Sequence, residues 1–408
     1  MADRILTSHA GSLPRPEELV ALNLKRGLGE LDDEAGYQAK LTQAVADVVA
    51  QQRELGIDLV NDGEFGHSMG HRYDYGPWWT YVFQRLGGLE LVTDGVLDIK
   101  QAPGKPGELS LASFAERRDW LEFSDAYGDP NSGAALPNPD IGTGAPVCRG
   151  PITYTGRESL DRDIANLKAA LDAAGVQEGY MNAVAPGSCA RFGNEYYEDD
   201  QALMYACADA LREEYQAIIE AGLILQLDDP AIAENWDQIN PEPSVEDYQR
   251  FTMLRVEALN HAIQGLPEDR IRFHLCWGSW HGPHVTDIPM RDIVDVMLKI
   301  NAGAYSFEAA NVRHEHEWRV WQDIQLPEGK VILPGIVSHS TNVIEHPDVV
   351  ADRIVRFAEG VGRENVIAST DCGLGGRVHP QIAWAKLGAL SEGAAIASRQ
   401  LWGSGVAA

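Results

Sequence analysis

The chain has 408 residues, 44% of them hydrophobic and 23% charged, which is enough apolar material for a large core and too much for a disordered chain. A formal net charge of -28 repels nucleic-acid phosphates and anionic lipid, so neither nucleic acid nor a membrane surface is expected as a partner. No run of about eighteen apolar residues is long enough to span a bilayer, and the N-terminus lacks the basic-then-apolar layout of a signal peptide. Five widely spread cysteines (Cys148, Cys189, Cys207, Cys276 and Cys372) suit free thiols or metal ligands in a reducing cytoplasm better than a disulfide framework.

In chain order, a repeating unit appears: a helical pattern, a turn, an apolar strand, then polar residues at the strand's C-terminal end. The predicted strands are Ile5–Ser12, Ile57–Glu64, Gly179–Pro186, Leu223–Asp228, Ile271–Cys276, Ala304–Glu308, Val331–Val337 and Val366–Thr370. Helices are predicted over 34–55, 159–174, 199–221 and 380–400, with Leu160, Ile164, Leu167 and Leu171 at helical spacing in the second. Alternating β and α units imply a parallel sheet. Eight of them imply an α/β fold of the (β/α)8 TIM-barrel type, read as a single domain over 1–408. A ninth apolar stretch, Pro146–Tyr154, closes an irregular region of about 65–157, rich in Gly, Pro and aromatics (Tyr73, Tyr75, Trp78, Trp79, Tyr81, Phe83). It lies between strands 2 and 3, and a segment this long outside the repeat reads as a lid or an oligomer arm.

In such a barrel, reactive groups come from the C-terminal ends of several strands. Those ends carry Ser12, Glu64, Asp228, His274 with Cys276, Glu308, His339 and Cys372. Ser12 and Asp228 could equally be helix caps. Taken alone, His274-x-Cys276 with a distant Cys372 reads as well as a core histidine and two buried thiols. As a set, one imidazole and two thiolates suit Zn²⁺, with a fourth position left for substrate and Glu308 as an exchangeable ligand. A sulfur-rich zinc site favours activating a thiol over hydrolysis, because a coordinated thiol is deprotonated while two thiolate ligands keep it electron-rich. His67 with His71, His281 with His284, and His314 with His316 are competing pairs. They sit in Gly-rich or polar loops where solvated histidines are ordinary, and His281 and His284 are expected at a pocket mouth.

His274-x-Cys276, Ser306-Phe-Glu308, Val337-Ser-His339-Ser, Asp371-Cys372-Gly373-Leu374, Gln226-Leu-Asp228-Asp-Pro230 and His9-Ala-Gly-Ser12-Leu-Pro together resemble the catalytic barrel of cobalamin-independent methionine synthase. They also resemble its shorter relatives, including epoxyalkane:coenzyme M transferases. The resemblance spans nearly the whole chain. It implies Zn²⁺ on His274, Cys276 and Cys372 with Glu308 exchangeable. It also implies that Ser12 holds the thiol substrate's carboxylate, that Glu64 and Asp228 hold its ammonium, and that His339 assists proton delivery or orients the donor. The implied partners are a small thiol such as homocysteine and a small methyl or alkyl donor, of which a methylated folate is one; a homo-oligomer is left open.

Two departures bear on the donor. The long form's second, N-terminal barrel, which helps hold polyglutamylated folate, has no counterpart in the chain read here. The loop after Cys276 is longer than expected, with Trp277-Gly-Ser-Trp280-His-Gly-Pro-His284 inserted. Epoxide opening by a sulfonate thiol would ask for arginine or lysine in place of the carboxylates; Arg15, Arg72 and Arg191 are candidates, each of which also reads as a surface or packing residue. A metal-free decarboxylase of the same barrel superfamily is a further alternative, against which the His-Cys-Cys set speaks.

Overall fold

The structure, a computed structural model, describes residues 3–27, 29–67, 77–92, 108–113, 116–134 and 145–403. Its strands are β1 (Leu6–Thr7), β2 (Leu86–Val92), β3 (Ala145–Tyr154), β4 (Tyr180–Val184), β5 (Gly193–Asn194), β6 (Ile224–Asp228), β7 (Ile271–Leu275), β8 (Ala304–Phe307), β9 (Val331–Val337) and β10 (Ile367–Thr370). Seven form a parallel sheet in the order β1-β10-β9-β8-β7-β6-β4. The missing stave is 57–61, which carries a bridge rather than a ladder. Asp58 and Leu59 donate their amides to Thr7 O at 3.1 and 3.0 Å, and Tyr180 N donates to Val60 O at 3.0 Å. Val60 also bridges Gly179 in parallel. The sheet thereby curls back on itself as a TIM-type barrel; seven of the eight expected strands form its ladder, and the eighth, predicted over Ile57–Glu64, is present only as the bridged segment 57–61.

The period of two along each strand decides which side chains reach the interior. One cross-strand row aligns Asn182, Gln226 and Arg272; the next toward the C-terminal end aligns Val184, Asp228, His274 and Ser306. The lower row is sealed by buried Arg272, which donates to Gln226 Oε1 at 2.5 Å, Ser8 Oγ at 2.8 Å and His9 O at 2.5 Å. Its guanidinium also lies 3.6 Å from the centroid of the Tyr180 ring. The intervening Leu225, Leu227, Phe273 and Leu275 are fully buried and belong to the apolar core.

Local chemistry starts and stops the surrounding helices. Asp33, Asp199 and Ser244 cap Glu34–Glu54, Asp200–Glu220 and Val245–Ala262 by accepting early amides. Gly175, at φ 65°, ends Arg157–Ala174 in the left-handed conformation common at helix C-termini. Pro380 opens the last helix, Pro380–Trp402.

The irregular region builds structure of its own. β2 pairs antiparallel with β3, and Val147 and Cys148 of β3 pair parallel with Gly193 and Asn194. β2 is not among the predicted strands, since it lies inside the region of about 65–157 read as irregular. Gly88 sits at φ 86° in a bulge where a Cβ would lie 2.5 Å from Pro151 O. Two buried arginines tie the region to the barrel helices. Arg85 donates to Glu214 at 3.0 Å and Asp163 at 2.6 Å, and Arg117 pairs with Glu234. His71, Arg72, Tyr73 and Tyr75 lie outside the described residues.

Candidate metal centre and substrate cavity

His274 closes the upper row of β7. Cys276 follows two residues on and shares its inward face, while Cys372 follows β10 across the barrel mouth. Their ligand atoms all lie within 4.8 Å of one another. Cys276 Sγ and Cys372 Sγ are 3.7 Å apart. A tetrahedral zinc with Zn–S bonds of about 2.3 Å has a sulfur–sulfur edge of about 3.8 Å. His274 Nδ1 lies 3.1 Å from Ser306 Oγ, which fixes the ring, whereas the buried Nε2 has no hydrogen-bond partner. An oriented imidazole with an orphaned second nitrogen beside two sulfurs is the donor set of a soft-to-borderline cation, so the residues fit zinc. The Cys276 S–H, Arg377 and His274 push the Cys372 thiol well below its usual range against the effect of burial.

Ser12, Glu64, Asp228, His274, Cys276 and Cys372 all line one cavity of about 410 Å³. Asn182, unforeseen from sequence, holds two of the lining residues by donating to Asp228 Oδ2 at 2.9 Å and Ala10 O at 3.1 Å. Gln226 adds a donor to Asp228 Oδ1 at 2.7 Å. Gly11, at φ 142°, lets the Glu64 carboxylate and the Asn182 amide close in; a Cβ there would lie 2.2 Å from Glu64 Oε1. Glu64 itself has φ 62°, a conformation that costs free energy in a non-glycine residue and recurs at functional sites. Burial raises Asp228 to about 6; burial and then Asp228 raise Glu64 well above the carboxylate range. Two such carboxyls favour a bound cation, which would stabilise both charged forms.

Glu308 lies beside the His-Cys-Cys triangle and not within it. Its ligand atoms group instead with His339 and Asp371. Oε1 accepts from Trp277 N at 2.9 Å and Ser279 Oγ at 3.0 Å, and Oε2 accepts from Asn311 Nδ2 at 2.7 Å. Asp371 is occupied with the backbone amides of Ala309, Ala310 and Asn311 at 2.7, 2.7 and 2.8 Å, so it ties the loop after β8 to the one after β10. Glu308 and His339 line a second cavity of about 470 Å³, together with Ser279, Trp280, His284 and Asn311. Burial lowers His339 to about 4, leaving it neutral, and its Nδ1 has no hydrogen-bond partner.

The other histidines sort differently from expectation. His281 and His284 do line the second cavity. His284 and His314, expected in solvated loops, are buried and share Asp287 at 3.2 Å each, with Glu317 2.9 Å from the second ring. These ion pairs outweigh burial and raise His284 to about 9 and His314 to about 10. His67 is buried and stacked on Tyr81 at 4.0 Å. Of the candidate arginines, Arg15 lines the first cavity and Arg191 is engaged by Glu234 at 2.8 Å.

The catalytic-domain model of the cobalamin-independent synthase family matches residues 143–395. The 2-hydroxypropyl-CoM lyase of Xanthobacter autotrophicus is 22% identical over 97% of this chain and 96% of its own. The methionine synthase of Thermococcus kodakarensis is 23% identical over 97% and 94% respectively. A solved B12-independent methionine synthase from Shewanella sp. W3-18-1 superposes with a TM-score of 0.68 at 19% identity, covering 98% of this chain and 99% of that one, which shows a shared fold. The chain belongs to the cobalamin-independent synthase catalytic-domain family and is, in general terms, a methionine-synthase-like transferase.

Proposed function

We propose that this protein moves a methyl or alkyl group onto the sulfur of a small amino-bearing thiol such as homocysteine, with zinc held by His274, Cys276 and Cys372. The observation that carries this reading is that the His-Cys-Cys triangle opens onto the same cavity as the buried Glu64–Asp228 pair. Zinc bound there would keep a coordinated thiol deprotonated near neutral pH. Glu64 and Asp228 receive the ammonium, with Asn182 and Gln226 holding Asp228 in place. Ser12, on the same cavity wall, takes the carboxylate. Glu308 serves as the exchangeable fourth ligand. His339, neutral on the second cavity, relays a proton to the leaving group or orients the donor, and that cavity is the donor side. The described parts of the region of about 65–157 act as a lid: Pro77 and Trp78 wall the thiol cavity, and Ala126 and Ala134 wall the donor cavity.

A second reading, zinc-dependent opening of an epoxide by a sulfonate thiol, is favoured by Arg15 in the thiol-cavity wall. Enzyme incubated with homocysteine or coenzyme M, each with methyltetrahydrofolate, methyl ethers or epoxides, separates the two. Zinc-dependent methylation of homocysteine supports the first, and addition of coenzyme M to an epoxide supports the second. Zinc-independent turnover, or none with any pair, would overturn both.

A further inference from the structure

Beyond β7 the backbone makes two consecutive residues with positive φ, Gly278 at 98° and Ser279 at 52°. Glycine accepts this freely, whereas serine pays for it, so the conformation must be held by its surroundings. Ser279 is 1% exposed, and its carbonyl oxygen accepts from Arg377 Nη1. The turn places one hydroxyl between two candidate ligands: Ser279 Oγ is 2.7 Å from Cys276 Sγ and 3.0 Å from Glu308 Oε1. Across the carboxylate, Asn311 Nδ2 reaches Oε2 at 2.7 Å, and Asn311 is itself pinned by its backbone N–H on Asp371 Oδ2 at 2.8 Å. With the Trp277 amide at 2.9 Å, Glu308 has three donors on its two oxygens while lying outside the triangle.

We propose that Ser279, Asn311 and the Trp277 amide form a built second seat for the Glu308 carboxylate, occupied when a thiol takes the fourth position, and that Ser279 is a positioning residue coupling that seat to Cys276. The proposal rests on the zinc–thiol reading above. A buried carboxylate that gives up a cation needs hydrogen bonds in its place, and these three donors supply them. A serine hydroxyl has a single proton to give. With Glu308 seated, that proton goes to Oε1; with Glu308 withdrawn, it turns to Cys276 Sγ and draws charge from that sulfur. Arrival of the thiol therefore coincides with release of Cys276 from its hydrogen bond, when electron-rich ligands help the incoming sulfur most.

The test is zinc-edge X-ray absorption on the holoenzyme during a homocysteine titration. Wild type should exchange one oxygen neighbour for a third sulfur. Ser279→Gly keeps the turn and removes the hydroxyl; Asn311→Ala removes the opposite donor. Each should bind one zinc and keep the wild-type thiol-free set of neighbours. Asn311→Ala should need about tenfold or more homocysteine for half-exchange, the effect of one lost hydrogen bond to a charged group. Ser279→Gly, which loses a hydrogen bond in both states, should need more than wild type but less than Asn311→Ala. Half-exchange at the wild-type concentration in whichever variants fold overturns the seat. A wild type without zinc, or one that gains no third sulfur, overturns the zinc–thiol reading itself.

Discussion

His274 in β7 and Cys276 just beyond it are two apart, the spacing at which strand side chains share a face, and both line the first cavity. Asp228 occupies the matching level of the neighbouring strand, paired in register with His274. Asp228→Asn should keep zinc but raise KM for homocysteine about tenfold or more, with little change for the same thiol lacking its amine; equal changes for both would remove Asp228 from ammonium recognition. His339→Asn should keep zinc and slow turnover by about 10², and a wild-type rate would remove His339 from the mechanism. Residues whose own chemistry marks them were legible in sequence: Ser12, Glu64, Asp228 and the candidate ligands His274, Cys276 and Cys372 meet at one cavity. Residues acting through another side chain were not. Asn182 serves Asp228 from 46 positions away and Ser279 serves Glu308 from 29, and no local pattern records such distances.

The strands of the barrel announce themselves by apolar runs ending in polar residues, and the helices by their spacing and caps. The excursion does not, since β2 contains a two-glycine bulge and pairs with a strand more than fifty residues later. Its attachment depends on charge. Burial alone would raise Glu234, but Arg191 and Arg117 outweigh it and hold it at about 2. A carboxylate with a depressed folded-state pKa contributes stability above its unfolded value, near 4.3, and that contribution fades as pH falls toward 2. Proteolytic cleavage within 116–134 by an acid-active protease should therefore quicken across that window. Glu234→Gln leaves buried guanidinium charge short of a partner and should cost about 3–5 kcal/mol in neutral buffer, measured by urea denaturation. In that variant the acid dependence of cleavage should flatten; an unaltered pH profile would show that Glu234 does not secure the excursion.

Across the whole molecule, seven sequence-distant strand ends converge because the sheet curls, with the bridged segment 57–61 hydrogen-bonded to Thr7 and Tyr180 at its seam. Closure puts Cys372 beside Cys276 despite a separation of 96 residues, and everything proposed about thiol activation follows from that meeting. The family and its barrel could be recognised from motifs, but the division into two cavities could not, because residues from several separate loops line each of them. Among the described residues no helix is long and apolar enough to cross a membrane. The most direct measurement is metal content after purification without added zinc, for wild type and Cys372→Ser. One zinc per chain in wild type, falling below about half in the variant, is the predicted result. Less than half an equivalent in wild type, unchanged by the substitution, would contradict a zinc-dependent transferase.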